Sequence, residues 1–363
     1  MKKIVLYIIL LLQAVNIYSN SSVDILKNDV SAKVISLAGS NAVTNYDIFS
    51  VNYNPATLGA IKETQAAFNQ SNGFEDSKYS YISFGTPLPF KVISDFSNPY
   101  IGFSAYIANL GDMISRTIDN NGTITEKTIS SEKDTVITLS YGEKVYKENN
   151  IFISQGLKSN FESGVGLGIK FINSKLLDKY SANTIALDCG YYGDLTDIGA
   201  KFGISLSNTM GSIKYIEEKY NLPTILRVGL SYSKPTIMEQ SAEASVEFDR
   251  YINDKKNSLK LGIEYTIEKI FSVRAGYKFL DDNKGLAVGV GFFAGNFSID
   301  LGTVFYDVYK YSSVSLKYGF GAKEEVKKEK SKELKKFIEK QTPDNKTQLK
   351  PKEKSTKDTI IIF

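Results

Sequence analysis

From Gly164 to Phe171 the chain reads GVGLGIKF, so Val165, Leu167, Ile169 and Phe171 alternate with Gly164, Gly166, Gly168 and Lys170. Successive side chains of a strand point to opposite faces, and this period-2 pattern predicts a strand with one apolar and one polar face. The pattern recurs as Ile198, Ala200, Phe202, Ile204 and Leu206 against Gly199, Lys201, Gly203 and Ser205. It returns again as Leu259, Leu261, Ile263, Tyr265 and Ile267 against Lys260, Gly262, Glu264 and Thr266. About fourteen such segments are predicted, near 62–70, 77–86, 99–109, 134–143, 163–173, 183–193, 197–207, 224–234, 242–251, 258–268, 270–279, 285–293, 296–307 and 312–320. Residues 114–129 read as a hairpin extension turning at Asn120-Asn121-Gly122. No stretch between the segments has a convincing helical period.

Alternation does not by itself say which face is outside. A soluble sandwich buries the apolar face, whereas a membrane barrel turns it to lipid. Three features favour the barrel. The segments are even in number, and at about ten residues each they suit tilted membrane-crossing strands. Aromatic residues also gather at strand ends: Tyr79, Tyr81, Tyr100, Tyr191, Tyr192, Tyr251, Tyr306 and Tyr318 sit where an interfacial girdle is expected. Finally, the chain opens with MKKIVLYIILLLQAVNIYSNSS, two lysines and an apolar run followed by small polar residues, which is the layout of a secretory leader. The run from Ile4 to Leu12 is roughly half the ~20 residues a spanning helix needs. The expected fold is all-β, a transmembrane antiparallel up-and-down barrel of about fourteen strands.

Composition narrows the chemistry. The chain has 23 Tyr, 21 Phe and 27 Gly but no His and no Trp, and its one cysteine is Cys189. Without His, the usual Ser-His-Asp and Cys-His catalytic sets and His-ligated zinc are excluded. The reading is a non-enzyme with no cofactor, and nothing in the pattern points to nucleic acid. Cys189 shares a face with Ile185, Leu187 and Tyr191 and is expected to look at the bilayer.

The polar faces carry Lys170, Asp188, Lys201, Arg227, Glu243, Glu247, Asp249, Lys260, Glu264, Arg274, Lys278, Asp300 and Lys317. One reading is a charged lumen that selects solutes. The other is a set of mutually paired charges in a filled barrel, which the near balance of signs and the interleaved glycines favour.

Before the first strand stands SAKVISLAGSNAVTNYDIFSVNYNPATLGAI, whose rigid element is the turn Tyr53-Asn54-Pro55-Ala56. Further on come LDCGYYG, the Asn208-to-Gly211 strand end followed by Leu222-Pro223 and Arg227-Val228-Gly229, and VRAGYKF. Together, over roughly residues 31–320, these resemble the PorV/PorQ family, relatives of the FadL fatty-acid transporters. The Gly-Gly expected early is only partly matched by Leu37-Ala38-Gly39-Ser40, and Thr57 stands where the family block has Gly. The resemblance implies that the segment before the first strand is a hatch within the barrel, with Asn54-Pro55-Ala56 as its turn.

The chain therefore divides into a leader at 1–19, a hatch or plug at 20–61, an outer-membrane barrel at 62–321, and a tail at 322–363. The tail holds 13 Lys against 8 acidic residues and reads as disordered or partly helical, hanging in the periplasm. Two functions follow from the resemblance: passage of small hydrophobic molecules across the outer membrane, or a non-transporting secretion or attachment component of the type IX kind. The partners implied are outer-membrane lipid, a hydrophobic small molecule, and a cell-wall or secretion-system component reached through the tail.

Overall fold

The structure, a computed structural model, describes residues 21–44, 46–74, 76–119, 122–154, 157–235, 240–280 and 283–321. The leader at 1–19, the tail at 322–363 and the turn residues Asn120 and Asn121 lie outside the described residues.

Among the described residues eighteen strands follow one another as β1 (Thr64–Asn72), β2 (Lys78–Pro87), β3 (Tyr100–Asn109), β4 (Asp112–Ile118), β5 (Ile124–Ser130), β6 (Glu132–Ser154), β7 (Leu157–Leu176), β8 (Tyr180–Leu195), β9 (Ala200–Thr209), β10 (Ser212–Lys214), β11 (Lys219–Asn221), β12 (Ile225–Pro235), β13 (Ser241–Tyr251), β14 (Lys256–Ile267), β15 (Phe271–Phe279), β16 (Gly285–Ala294), β17 (Phe297–Tyr306) and β18 (Lys310–Phe320). Fourteen of them close into an antiparallel barrel, each sheet neighbour being the next barrel strand in sequence. The pair β1–β18 seals it, with Thr64 opposite Phe320 and Asn72 opposite Ser312. Closure leaves the barrel wall itself without a free edge, as a backbone in hydrocarbon requires. The pairs β4–β5 and β10–β11 are separate two-stranded hairpins. The first is the predicted extension, with Ile114 opposite Thr128; the second was not expected.

Burial settles which face is outside. Along β7, Leu167 is 65% exposed and Phe171 47%, while Lys170 between them is 2% exposed. Ile263 at 62% and Glu247 at 0% repeat the inversion on the opposite wall. A soluble sandwich would have it the other way round, so the apolar face is the lipid face. Cys189 is exposed on that face with Ile185 and Leu187. Ile198, expected at the head of this alternation, lies instead in the turn between β8 and β9.

The rim where β1 begins and β18 ends is called here the near rim, and the opposite one the far rim. At the near rim β6 and β7 outrun their neighbours: β3 stops pairing with β6 at Gly142, yet β6 and β7 continue together to Ser154 and Leu157. Register shifts at Lys144/Tyr146, Glu148/Ile151 and Phe152/Ser154 bend this overhanging ribbon.

Residues 21–44 and 46–61 run through the lumen. Ser21 and Lys27 meet Asp254 in a far-rim turn. A short helix (Ala32–Ser36) packs against β15, β16, β17 and β18, and two 3₁₀ turns follow. The first (Ile48–Asn52) lies against β1, β2, β3 and β6, and the second (Pro55–Ala60) against β3, β6, β7 and β8. Val30, Val34, Ile48, Val51 and Leu58 are fully buried there. The segment thus touches opposite walls before leaving at the near rim.

Candidate functional site

Wall glycines make room for this plug. A Cβ on Gly166 would lie 2.3 Å from the Ala56 amide nitrogen and from the Pro55 carbonyl carbon. On the opposite wall a Cβ on Gly302 would lie 2.2 Å from the Ala32 carbonyl oxygen. At Gly142 and Gly276, as at these two, plug backbone meets wall backbone, whereas Gly164 and Gly168 make room for side chains of the wall itself.

The motif Tyr53-Asn54-Pro55-Ala56 is a tie point. The Asn54 side chain accepts from the Ala56 amide (3.1 Å), capping the second 3₁₀ turn, and Pro55 occupies the first position where no amide hydrogen is needed. The other end of the Asn54 amide donates to Ala42 O (2.9 Å) inside the plug and to Tyr191 O (3.3 Å) on the wall. The Tyr53 hydroxyl accepts from the Val30 amide (2.6 Å), joining the two ends of the segment. Burial pushes the Tyr53 phenol well above its ordinary value. Thr57, in place of the family's Gly, donates through its hydroxyl to Asn54 O (3.0 Å).

All eight candidate charges at Lys170, Asp188, Lys201, Arg227, Lys260, Glu264, Arg274 and Asp300 point into the lumen and are paired. Lys170 meets Asp188 at 2.8 Å and donates to Asn208 at 2.7 Å. Asn208 sits at φ 59° in an irregular end of β9, where its amide donates to Asp188 (2.8 Å). Lys201 faces Glu243 (4.0 Å) and covers the ring of Tyr46 in the plug. Arg274 joins Glu264 and, at 2.6 Å, Asp300. Glu264 also faces Lys33 of the plug at 3.7 Å.

The tightest attachment centres on Glu247. Its carboxylate accepts from the plug amides of Asn41 (2.8 Å) and Ala42 (2.5 Å) and from Lys260 (3.1 Å). Lys260 also meets Asp249 at 2.7 Å and donates to Gly39 O at 2.9 Å. On another wall Lys317 meets Asp47 at 2.9 Å. Lys33 and the two amides are site members the sequence did not single out. Their partners are some two hundred residues away or more, and no local pattern marks them.

The remaining side of the lumen is aromatic. Tyr311 and Tyr79 have ring centroids 5.6 Å apart, Tyr79 and Tyr106 6.4 Å, Tyr106 and Tyr81 6.0 Å, and Tyr81 and Phe49 of the plug 5.7 Å. This corrects the girdle expectation. Tyr79, Tyr81, Tyr100, Tyr192 and Tyr251 are buried, facing inward, while Tyr318 is 44% exposed on the lipid face. The outward positions beside them belong to Ile82 and Phe84, and that alternation is the signal that could have placed the tyrosines. The ladder starts at a far-rim cavity of about 300 Å³ whose lining includes Asn28, Asp29, Tyr79, Lys260, Lys278 and Tyr311. Burial pushes the Asp29 carboxyl above the usual carboxylate range, and Lys260 pulls against that shift.

Several solved structures are similar to the chain. The toluene transporter TbuX of Ralstonia pickettii is 12% identical, with 84% of this chain and 100% of that one covered and a TM-score of 0.47. The CymD monoaromatic hydrocarbon channel is 12% identical over 80% and 97%, at 0.49. A FadL homologue of Pseudomonas aeruginosa is 11% identical over 80% and 98%, at 0.48. These are distant likenesses, and the barrel stands on the strand pairing of this chain. No family model matches the chain, and no curated protein matches it.

Proposed function

We propose that this protein is an outer-membrane barrel for the passage of small apolar molecules, with residues 21–61 as a hatch that shifts to open the way. The observation that carries the reading is the division of the lumen. Most of the charges that fasten the plug lie on β7–β17, and beyond them an aromatic ladder carried by β18, β2 and β3 descends from the far-rim cavity, whose lining still includes Lys260, through Tyr79, Tyr106 and Tyr81 to Phe49. An apolar solute moving along that side exchanges one ring contact for the next and leaves the ion pairs closed. Because the plug fills the lumen at the level of the glycines, passage requires the Ile48–Leu58 stretch to move.

The test is uptake of a small environment-sensitive apolar dye into liposomes holding the reconstituted protein. Uptake faster than into empty liposomes, slowed by Tyr106→Lys, is expected. Equal rates with and without protein would refute transport.

A second reading, a non-transporting attachment component of the PorV/PorQ kind, draws support from the β6–β7 ribbon. It projects past the near rim with Phe152 75% exposed. Under either reading the lysines of residues 322–363 are proposed to contact an anionic periplasmic polymer, an attraction that salt screens.

A further inference from the structure

The connection between β2 and β3, residues 88–99, is closed at its neck by the Leu88 amide donating to Pro99 O (2.8 Å). From there it crosses the end of β3 to the outside of β6. Gly142 of β6 faces Pro55 and Leu58 within the lumen, so Tyr141 and Glu143 on either side of it point outward. Yet Glu143 is completely covered. Its carboxylate accepts from the amides of Ile93 (3.0 Å) and Ser94 (2.8 Å) and from the Tyr141 hydroxyl. Ser94 adds a hydroxyl bond to Lys144 O at 2.7 Å.

The loop held this way turns apolar side chains away from the protein: Phe90 is 57% exposed, Val92 56%, Ile93 61% and Phe96 48%. Such a cluster in water would be a liability. It continues a surface already assigned to lipid. Ile137 and Leu139 of β6 are 40% and 43% exposed on the lipid face, Tyr141 follows, and Glu143 lies two residues, about 7 Å, beyond it. The apolar band of the barrel therefore runs without a break into the loop.

We propose that residues 88–99 form a strap that inserts Phe90, Val92, Ile93 and Phe96 into the headgroup–acyl boundary of the near-rim leaflet, with Glu143 as the peg that holds it. A bare carboxylate at that depth is costly. Three donors satisfy this one, and its charge becomes the fixture that orients the loop. Exposed Lys91 and Asp95, interspersed with the apolar residues, are left for the headgroup layer. The proposal needs the barrel but not the transport reading.

The chain has no tryptophan, so a single introduced indole reports without background. Full-length Phe96→Trp is reconstituted in phosphatidylcholine vesicles with and without bromine on the acyl chains, and Phe152→Trp at the ribbon tip serves as the water-exposed reference. Phe96→Trp emission is expected to be blue-shifted from the reference and at least halved by brominated lipid, with the reference unchanged. Adding Glu143→Ala to Phe96→Trp should return the emission toward the reference. Emission equal to the reference and unquenched would overturn the proposal. So would a blue shift that brominated lipid leaves untouched, since the strap would then be covered by protein, a second copy included.

Discussion

Removing the Glu247 carboxylate tests whether the plug is held in place by charge. Glu247→Ala deprives the Asn41 and Ala42 amides, at 2.8 and 2.5 Å, of their acceptor and takes one of two carboxylates from Lys260. A hydrogen bond to a charged group contributes about 1.5–3 kcal/mol. Breaking one side of a buried charge pair costs about 3–5 kcal/mol. Lys260 keeps Asp249 and Gly39 O, and the wall strands themselves are untouched, so the loss falls on plug seating. With about 3–5 kcal/mol lost and 1.4 kcal/mol per tenfold, the unseated population rises on the order of 10²-fold to several thousandfold. Two readouts follow it: open time of single barrels in planar bilayers, and trypsin cleavage after Lys33, a plug residue facing Glu264 inside the lumen. Glu247→Gln, which keeps an acceptor but not the charge, should fall between wild type and Glu247→Ala. Wild-type conductance together with undiminished protection of Lys33 in Glu247→Ala would refute the reasoning.

Other outcomes follow from the same geometry. Gly166→Val puts carbon onto the Pro55–Ala56 backbone, which has no flexible side chain to yield, so the barrel should insert but conduct ions as if the plug were absent; wild-type conductance would contradict this. Ile263→Arg, on the lipid face of mid-β14, should lower the folding free energy into vesicles by about 2–4 kcal/mol in urea titrations. Cys189 should react slowly with a charged maleimide in intact membranes and quickly only after unfolding. Burial raises the Asp254 carboxyl, but hydrogen bonds from Lys27 and Ser21 outweigh it and hold the group below the usual range. The stabilisation is thus full above the unfolded value near 3.8 and lost as pH falls through the lower folded value. A spin label at Asp24→Cys, in a Cys189→Ser background, should therefore gain mobility only on acidification below about pH 4, and an Asp254→Asn variant should be mobile already at neutral pH.

The wall of the barrel was legible because each rung obeys one rule. Once Leu167 and Phe171 are assigned to one face, Lys170 must occupy the other, and the same parity places Arg227 beside Val228. Parity failed where amphipathic side chains were read by position instead. Tyr79 and Tyr81 lie toward a strand end as girdle residues do, yet share their face with Ser83, and Ile82 and Phe84 hold the lipid side. The β10–β11 hairpin escaped because strands of three residues are too short to show a period. The ribbon beyond Lys144 escaped because its bulges break the alternation. The plug's attachments were illegible for another reason. An amide at Asn41 finding a carboxylate 206 positions later is a fact of closure, not of local pattern.

That closure also dictates an order of events in assembly. The helix at Ala32–Ser36 rests on β15–β18, and the Ala32 amide donates to Ser315 Oγ, 283 residues later in the chain. The plug segment therefore has no complete resting place until β18 arrives, and that strand must also zip to β1. Threading the plug into a finished ring would drag the β1 connection and its charged side chains through a bore with little room at Gly142, Gly166, Gly276 and Gly302. Capture must precede or accompany the sealing of the seam, making the slowest, most non-local step of folding the one that completes both. A nascent chain halted before β17 would then be neither a narrower pore nor a leaky one, but a sheet still waiting around an unplaced plug segment.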